Sequence, residues 1–316
     1  MAGKVRGVIC ALIGASLWGF SGACSQYLFS HYAISPLFLT MARMLGAGLL
    51  FLATLIISQR DKLHDILMDR PTCKQLAAFG GLGLFLCQLT YLVVIGYTNA
   101  GTATVLQSLN MVFVVIATCL LMHRLPFARE VGGLACALVA TFLIATKGDP
   151  GMLHIPLAGL IWGLANALSV AFYVMYPRRM FERWGSFPIT GLGMFIGGVV
   201  AAIGWVFAAA TGKGLDAGVP TIPHLDGIGL LVLVLIVVLG TFASFALYLE
   251  GVAVVGGVTG SLLGAVEPVS ATLLSALWLG TVFTWADWLG LVLMIMTTIL
   301  VTGRQAAYRR PRANPL

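Results

Sequence analysis

The sequence predicts an all-α membrane protein, with ten transmembrane helices in two inverted five-helix repeats around a central cavity. Three observations predict it. Hydrophobic residues make up 59% of the chain and charged ones 9%, against about 25% charged in soluble domains. Apolar runs of about 20 residues, enough to cross ~30 Å of hydrocarbon, recur ten times, centred near Ala15, Gly46, Gly83, Phe113, Ala137, Ala167, Gly197, Ile236, Val266 and Leu293. The halves also match at one constant offset, pairing Tyr91 with Tyr248, Thr102 with Thr259, Asn110-Met111 with Glu267-Pro268 and Gly133 with Gly290. Five crossings per half start the second half from the opposite side, so the repeat is inverted and a cavity is expected where the halves meet.

In order, the first crossing is expected at Val8 to Leu28 and the second at Pro36 to Ile57, followed by a mixed-charge loop, Ser58 to Lys74. Crossings three and four, Leu76 to Tyr97 and Thr102 to Met122, are joined by a short link at Asn99 to Gly101. Crossing five covers Val131 to Thr146, and the breakers Gly148, Pro150 and Gly151 mark a hinge between units 5–148 and 155–303. The second unit repeats the plan at Leu157 to Tyr176, Pro188 to Ala209, Ile228 to Tyr248, Val254 to Leu279 and Trp285 to Val301. Its Gly- and Pro-rich loop, Thr211 to Asp226, precedes the eighth crossing, and a basic tail, 304–316, is expected to be disordered.

The formal charge of +7 is a topology signal rather than a nucleic-acid site. With the N-terminus inside, the Lys and Arg outside the spans fall on inside segments except Lys147 and Lys213, and Arg43 lies within a span. That bias places both termini on the cytoplasmic side of the membrane. Cys10, Cys24, Cys87, Cys119 and Cys136 sit in apolar spans and Cys73 on a basic loop, without a CxxC pair, so free thiols are expected. Lys4 and Arg6 before a long apolar run, with Ser21-Gly22-Ala23-Cys24 a poor lipoprotein box, read as a retained span rather than a cleaved signal.

The organising stretch is Gly260 to Gly280, which buries Glu267 beside Pro268. A carboxylate at bilayer depth costs about 2.5–3.5 kcal/mol and normally faces a protein or water-filled interior. Pro268 removes an N–H and crowds the carbonyl of Gly264, so both residues are expected to form a gating break. Gly256, Gly260 and Gly264 recur every fourth position and invite a close helix. Polar stripes converge on the same depth: Trp18, Ser21, Gly22 and Ser25 in span one, Gln88 and Tyr91 in span three, and Gln107 and Asn110 in span four. Trp162, Asn166, Ser169 and Tyr173 line span six, and Thr241, Ser244 and Tyr248 line span eight. Glu267 is expected to contact substrate or carry a coupling proton, with Asn110, Gln107, Gln88, Tyr91, Trp18, Asn166, Tyr173 and Tyr248 as substrate contacts. Hydroxyls such as Ser169, Thr241 and Ser244 also serve as helix glue, and Trp18 and Trp162 as interface anchors. Arg43 has three readings: pairing with Glu267, binding an anionic substrate group, or snorkelling to the surface.

Enzyme signatures are lacking: there is no HExxH, GxSxG, P-loop or metal-spaced Cys/His set, and no cofactor is expected. Active transport would therefore run on an ion or solute gradient. The chain resembles the EamA branch of the drug/metabolite transporter superfamily, through Ala15-Ser16-Leu17-Trp18-Gly19, Pro36 with Arg43, Tyr97-Thr98-Asn99-Ala100 and Glu267-Pro268-Val269 in order. The resemblance spans about residues 5 to 303 and implies a protein of a bacterial inner membrane. It implies a ten-helix basket with spans five and ten peripheral, alternating access, and often export of amino acids, related metabolites or toxic compounds. Many members carry Pro where this chain has Met111, so a break is expected in the second half only. The expected function is secondary transport of a small amphipathic molecule, with efflux favoured. Uptake, exchange, or a non-transporting scaffold or sensor of the same fold are the alternatives. The expected partners are a small-molecule substrate and the lipid bilayer; the chain is read as a monomer, or a homodimer using Gly133, Ala137 and Gly290.

Overall fold

The computed structural model describes residues 2–212 and 222–302. Among them all regular structure is helical, and ten helices are long and apolar enough to cross a membrane. In chain order, spans one to ten are Gly3–His31, Pro36–Ser58, Arg70–Tyr97, Ala100–Leu121, Ala128–Thr146, Leu157–Trp184, Ser186–Thr211, Gly227–Val255, Thr259–Leu279 and Trp285–Thr302. Lys213, most of the expected outside loop and the basic tail 304–316 lie outside the described residues.

The starts of the spans follow from local chemistry. Ser35 caps span two by accepting from Phe38 N, with Pro36 in the first turn, where its missing N–H costs nothing. Asn99 caps span four through Thr102 N at 2.8 Å. Asp226 caps span eight through Gly229 N at 2.8 Å, and Glu130 of span five reaches back to Phe127 N at 2.8 Å while meeting Arg124 in a two-pronged pair.

Two boundaries differ from expectation. The segment expected as a loop from Ser58 to Lys74 folds into a short helix, Arg60–Met68, and the first turn of span three. Asp69 ends one and caps the other, accepting from Thr72 N and the Thr72 hydroxyl and pairing with Arg183 at 3.1 Å, so local hydrogen bonding outweighs the charge density of the stretch. Span eight continues past Tyr248 to Val255. Gly256, at φ +85° and ψ 158°, makes the turn into span nine; this region is open essentially to glycine alone. Gly256 is thus a corner and not part of a helical stripe, whereas Gly260 and Gly264 meet Val252 and Tyr248 of span eight.

Packing pairs the halves. Span one packs on span eight and span three on span six; span one also packs on span nine, and span four on span six. Span two lies on span seven and span five on span ten. Exchanging each span for its counterpart five places along turns each of these pairings into another on the list or into itself. Backbone proximity sets the tightest of them: a Cβ on Gly48 would sit 2.6 Å from Phe195 Cα, and one on Gly198 2.7 Å from Leu45 N. Gly133 faces Val301 and Gly290 faces Ile144, with Thr297 Oγ1 donating to Gly133 O at 3.1 Å and Ala137 fully buried. The small residues expected to support a dimer are therefore used within the chain, because spans five and ten need them to pack on each other.

Outside the spans, the backbone N–H of Gly229 and then the Tyr32 hydroxyl hold the Asp226 carboxyl below its ordinary range, and the Thr72 hydroxyl does so for Asp69. A carboxyl with a lowered folded value contributes stability above its unfolded value of about 3.9, lost as pH falls through the folded value. Melting temperature is therefore expected to drop as pH falls below about 4. Replacing both residues with Asn should flatten that slope; an unaltered slope in the double variant would contradict it.

Candidate functional site

Both spans expected to contribute the central polar residues are interrupted at mid-length. Span four is helical over Ala100–Gln107 and again over Asn110–Leu121. Between them the ladder tightens: Leu109 N reaches Leu106 O at 3.1 Å, Met111 N reaches Ser108 O at 3.2 Å and Val112 N reaches Leu109 O at 2.9 Å, each three residues back. Span nine is interrupted at Ala265, whose N–H bonds Leu262 O at 3.2 Å, between helices Gly257–Gly264 and Val266–Leu279. The expectation of a break in the second half only is overturned. Asn110 does in span four what a proline would do by removing a donor: its Nδ2 donates to Gln107 O at 2.8 Å, satisfying a carbonyl that the broken ladder exposes. Pro268, for its part, falls in the first turn of the restarted helix, where no N–H is missed. Asn110→Ala is expected to cost about 1 kcal/mol of stability and to cut transport several-fold by letting span four straighten; melting and flux measured together check this, and full flux would contradict it.

Glu267 faces inward. Gln107 Nε2 of span four donates to its Oε1 at 3.2 Å. Arg43, Cys87, Tyr91, Tyr173 and Tyr248 all lie within its electrostatic reach. Spans two, three, four, six, eight and nine thus bring one polar group each, or more, to a single region. Trp18 of span one packs on Tyr248 with ring centroids 4.5 Å apart and on Phe245 at 4.9 Å, so it is an interior wall and not an interface anchor. Tyr173 stacks on Phe79 at 5.8 Å. Gly19 presses span one against span nine at this depth: a Cβ there would lie 2.7 Å from Glu267 O.

Other expected residues have local partners. Asn166 Nδ2 donates to Cys87 O at 2.9 Å and Thr90 Oγ1 at 3.0 Å, binding span six to span three. Ser169 and Ser244 donate to carbonyls of their own helices, as helix hydroxyls commonly do. Gln88 is buried, with its Nε2 unpaired. Arg43 is 3% exposed and has no carboxylate within salt-bridge distance, so it neither snorkels nor pairs directly with Glu267. Its Nε donates to Thr241 Oγ1 at 3.3 Å. Thr241 in turn donates to Ile236 O five residues back, within a π-helical turn, Val238–Ala243. Span three carries a similar turn at Phe79–Leu84, close to the position the repeat relates to it.

Two residues of the site escaped the sequence reading. Cys87 was legible only as a buried thiol, since its position beside Glu267 depends on how span three packs. Gln26, one residue beyond the span-one stripe, ties three spans together: its Oε1 accepts from Ala100 N at 2.9 Å and Ser275 Oγ at 3.0 Å, and its Nε2 donates to Thr281 Oγ1 at 2.9 Å. That end of the bundle is tight, with Ala100 to Leu106 of span four all buried. Beyond the breaks, toward the end carrying Arg6 and Glu250, Val115 is the buried residue of the helix Asn110–Leu121. Span four is thus more deeply buried on one side of Glu267 than on the other.

A model of the EamA-like transporter family matches the chain twice, over residues 5–146 and 157–303. YicL of Salmonella typhimurium (strain LT2), an uncharacterized inner membrane transporter, is 38% identical over 304 residues, 96% of this chain and 97% of that protein. An uncharacterized transporter of Archaeoglobus fulgidus is 22% identical over 192 residues, covering 60% of this chain and 64% of its own length. A crystal structure of a further protein matches with a TM-score of 0.61 over 98% of this chain and 99% of that one; at 16% identity the likeness is one of fold.

Proposed function

This chain belongs to the EamA-like transporter family, and we propose that it is a secondary carrier that exports a small amphipathic molecule by alternating access. In this reading the two five-helix units are related by inversion, as the reciprocal packing of their spans supports, and they rock about the level of Glu267. Glu267, Gln107 and Asn110 hold the polar part of the substrate, and Trp18, Tyr91, Tyr173 and Tyr248 hold its organic body. Gln88 and Arg43 complete the wall, and Asn166 positions span three. The breaks at Ser108 and Ala265 let the outer and inner halves of spans four and nine move separately, with Gly264 and Pro268 at the hinge of span nine. In this reading both termini are cytoplasmic, as the basic loops support, and the chain sits in the inner membrane of a bacterium, as its likeness to YicL supports.

The observation that carries the proposal is the meeting of an inward-facing carboxyl with amide and aromatic side chains at two broken helices. A packed scaffold has no use for an acid at that depth, where it costs about 2.5–3.5 kcal/mol. The test is counterflow in proteoliposomes preloaded with unlabelled amino acids, amines, nucleobases or carboxylates. At least one class is expected to draw its labelled counterpart into the lumen, and imposed pH gradients of either sign should then set the direction of net flux. No counterflow with any class would overturn the proposal in favour of a non-transporting protein.

A further inference from the structure

The donors around Arg43 point to the chemistry of the substrate. Arg43 is buried, with Nε on Thr241 and Nη1 without an acceptor. A guanidinium at membrane depth with a free N–H prong is expensive unless something negative meets it. Glu267 lies within electrostatic reach but makes no direct contact: among the described residues Arg43 has no ion pair, and the Nη1 prong stays free.

Further unpaired groups connect to Arg43 through Thr241 and span one. Thr241 follows Gly240, whose missing Cβ leaves room for Ser21, and Ser21 Oγ has no partner. Gly22, the next residue, makes room for Tyr91 Oη, which lies within electrostatic reach of Arg43 and is also unpaired. One helical turn from these lie Trp18 Nε1 and Gln88 Nε2, both buried and unpaired. All five groups donate or are able to donate. Among the described residues one buried, unpaired side-chain atom, Asn166 Oδ1 of span six, can only accept. A buried cluster rich in unmet donors and anchored by a fixed cation matches an acceptor-only ligand group.

We propose that Arg43, with the hydroxyls of Tyr91 and Ser21, forms an oxyanion subsite, so that the transported molecule is an organic anion whose apolar body rests on Trp18 and Tyr248. The inference rests on the carrier reading above and narrows it. It also gives Thr241 a role: by fixing Nε it leaves the opposite edge of the guanidinium for the ligand, and the π-helical turn places that hydroxyl against Arg43. An anion leaving a cell with a negative interior moves down the electrical gradient, which agrees with export.

The test compares ligands that share a ring and differ in charge. Purified protein is melted with phenylacetate, phenyl phosphate and benzenesulfonate, and with phenylacetamide and phenethylamine as neutral and cationic counterparts. One or more anions should raise the melting temperature in a concentration-dependent manner, while the amide and the amine do not. Arg43→Gln should weaken that binding about 10- to 100-fold, and Tyr91→Phe about tenfold, with Arg43→Lys recovering part of the loss. Should Arg43→Gln fail to fold, Tyr91→Phe and Ser21→Ala, which keep shape and remove one donor each, carry the same test. If Arg43 serves only to brace span eight, Thr241→Val should destabilise as much as Arg43→Gln, and none of the variants should alter the preference for anions. That result, or wild-type protein stabilised by the amine or by no anion, would overturn the subsite. Counterflow of an amine or neutral compound would still leave the carrier standing; loss of all counterflow would remove both.

Discussion

Glu267→Gln is expected to reduce pH-dependent transport in proteoliposomes to background, by at least about tenfold, while leaving melting temperature unchanged or slightly higher. Glutamine matches the shape of the acid and still offers an oxygen to Gln107 Nε2, now at 3.2 Å from Glu267 Oε1. It neither ionises nor exchanges a proton. Removing a buried charge relieves a desolvation cost, which is why stability should not suffer. The other titratable and charged groups facing this carboxyl are Arg43, Cys87, Tyr91, Tyr173 and Tyr248. Among the described residues of this region Glu267 is the one carboxylic acid, so its loss should flatten the dependence of flux on pH and not merely shift it. A variant that transports with the same pH profile would remove Glu267 from coupling, and one that fails to bind ligand at all would make it a binding group alone.

The second large effect is expected at Gly19. A Cβ at this position would lie 2.1 Å from Ser270 Oγ, 2.6 Å from Ala271 N and 2.7 Å from Glu267 O. The serine hydroxyl can swing away, but the two backbone atoms belong to a helix and cannot, so span one must retreat from span nine. Such overpacking costs about 1–3 kcal/mol, which outweighs the gain of up to ~1 kcal/mol that alanine brings to a helix interior. Gly19→Ala is therefore expected to lower melting temperature and to abolish transport, because the displaced backbone carries Glu267. Gly96→Ala is the matched control: its Cβ meets nothing within 4 Å, so stability should hold or rise slightly. Equal behaviour of the two variants would contradict the packing account.

The spans were legible in the sequence because lipid imposes a length and a composition that few residues violate. For the same reason the inward orientation of Glu267 was legible, since hydrocarbon leaves a carboxyl few other places. The break in span four was not, because the rule applied was proline, and Asn110 achieves the same end by bonding back to Gln107 O. The fate of Arg43 depended on span eight presenting Thr241 from a π-helical turn, which no residue pattern announces. Gly133 and Gly290 were recognisable as helix-contact residues, but spacing alone does not say whether the contacting helix belongs to the same chain. The helix Arg60–Met68 was hidden by its charge; it ends at Asp69, whose backbone N–H bonds back to Asp65 O while its side chain caps the span that follows.

The central claim is that the level of Glu267 opens to each side of the membrane in turn. Cysteine placed at Ser108, a near-isosteric change at the break of span four that keeps Asn110, in protein whose native cysteines are replaced, tests it directly with a membrane-impermeant thiol reagent on right-side-out and inside-out vesicles. The account predicts labelling from both sides, with a transported ligand slowing each. Labelling from neither side, or from one side alone under every gradient and ligand, would contradict it.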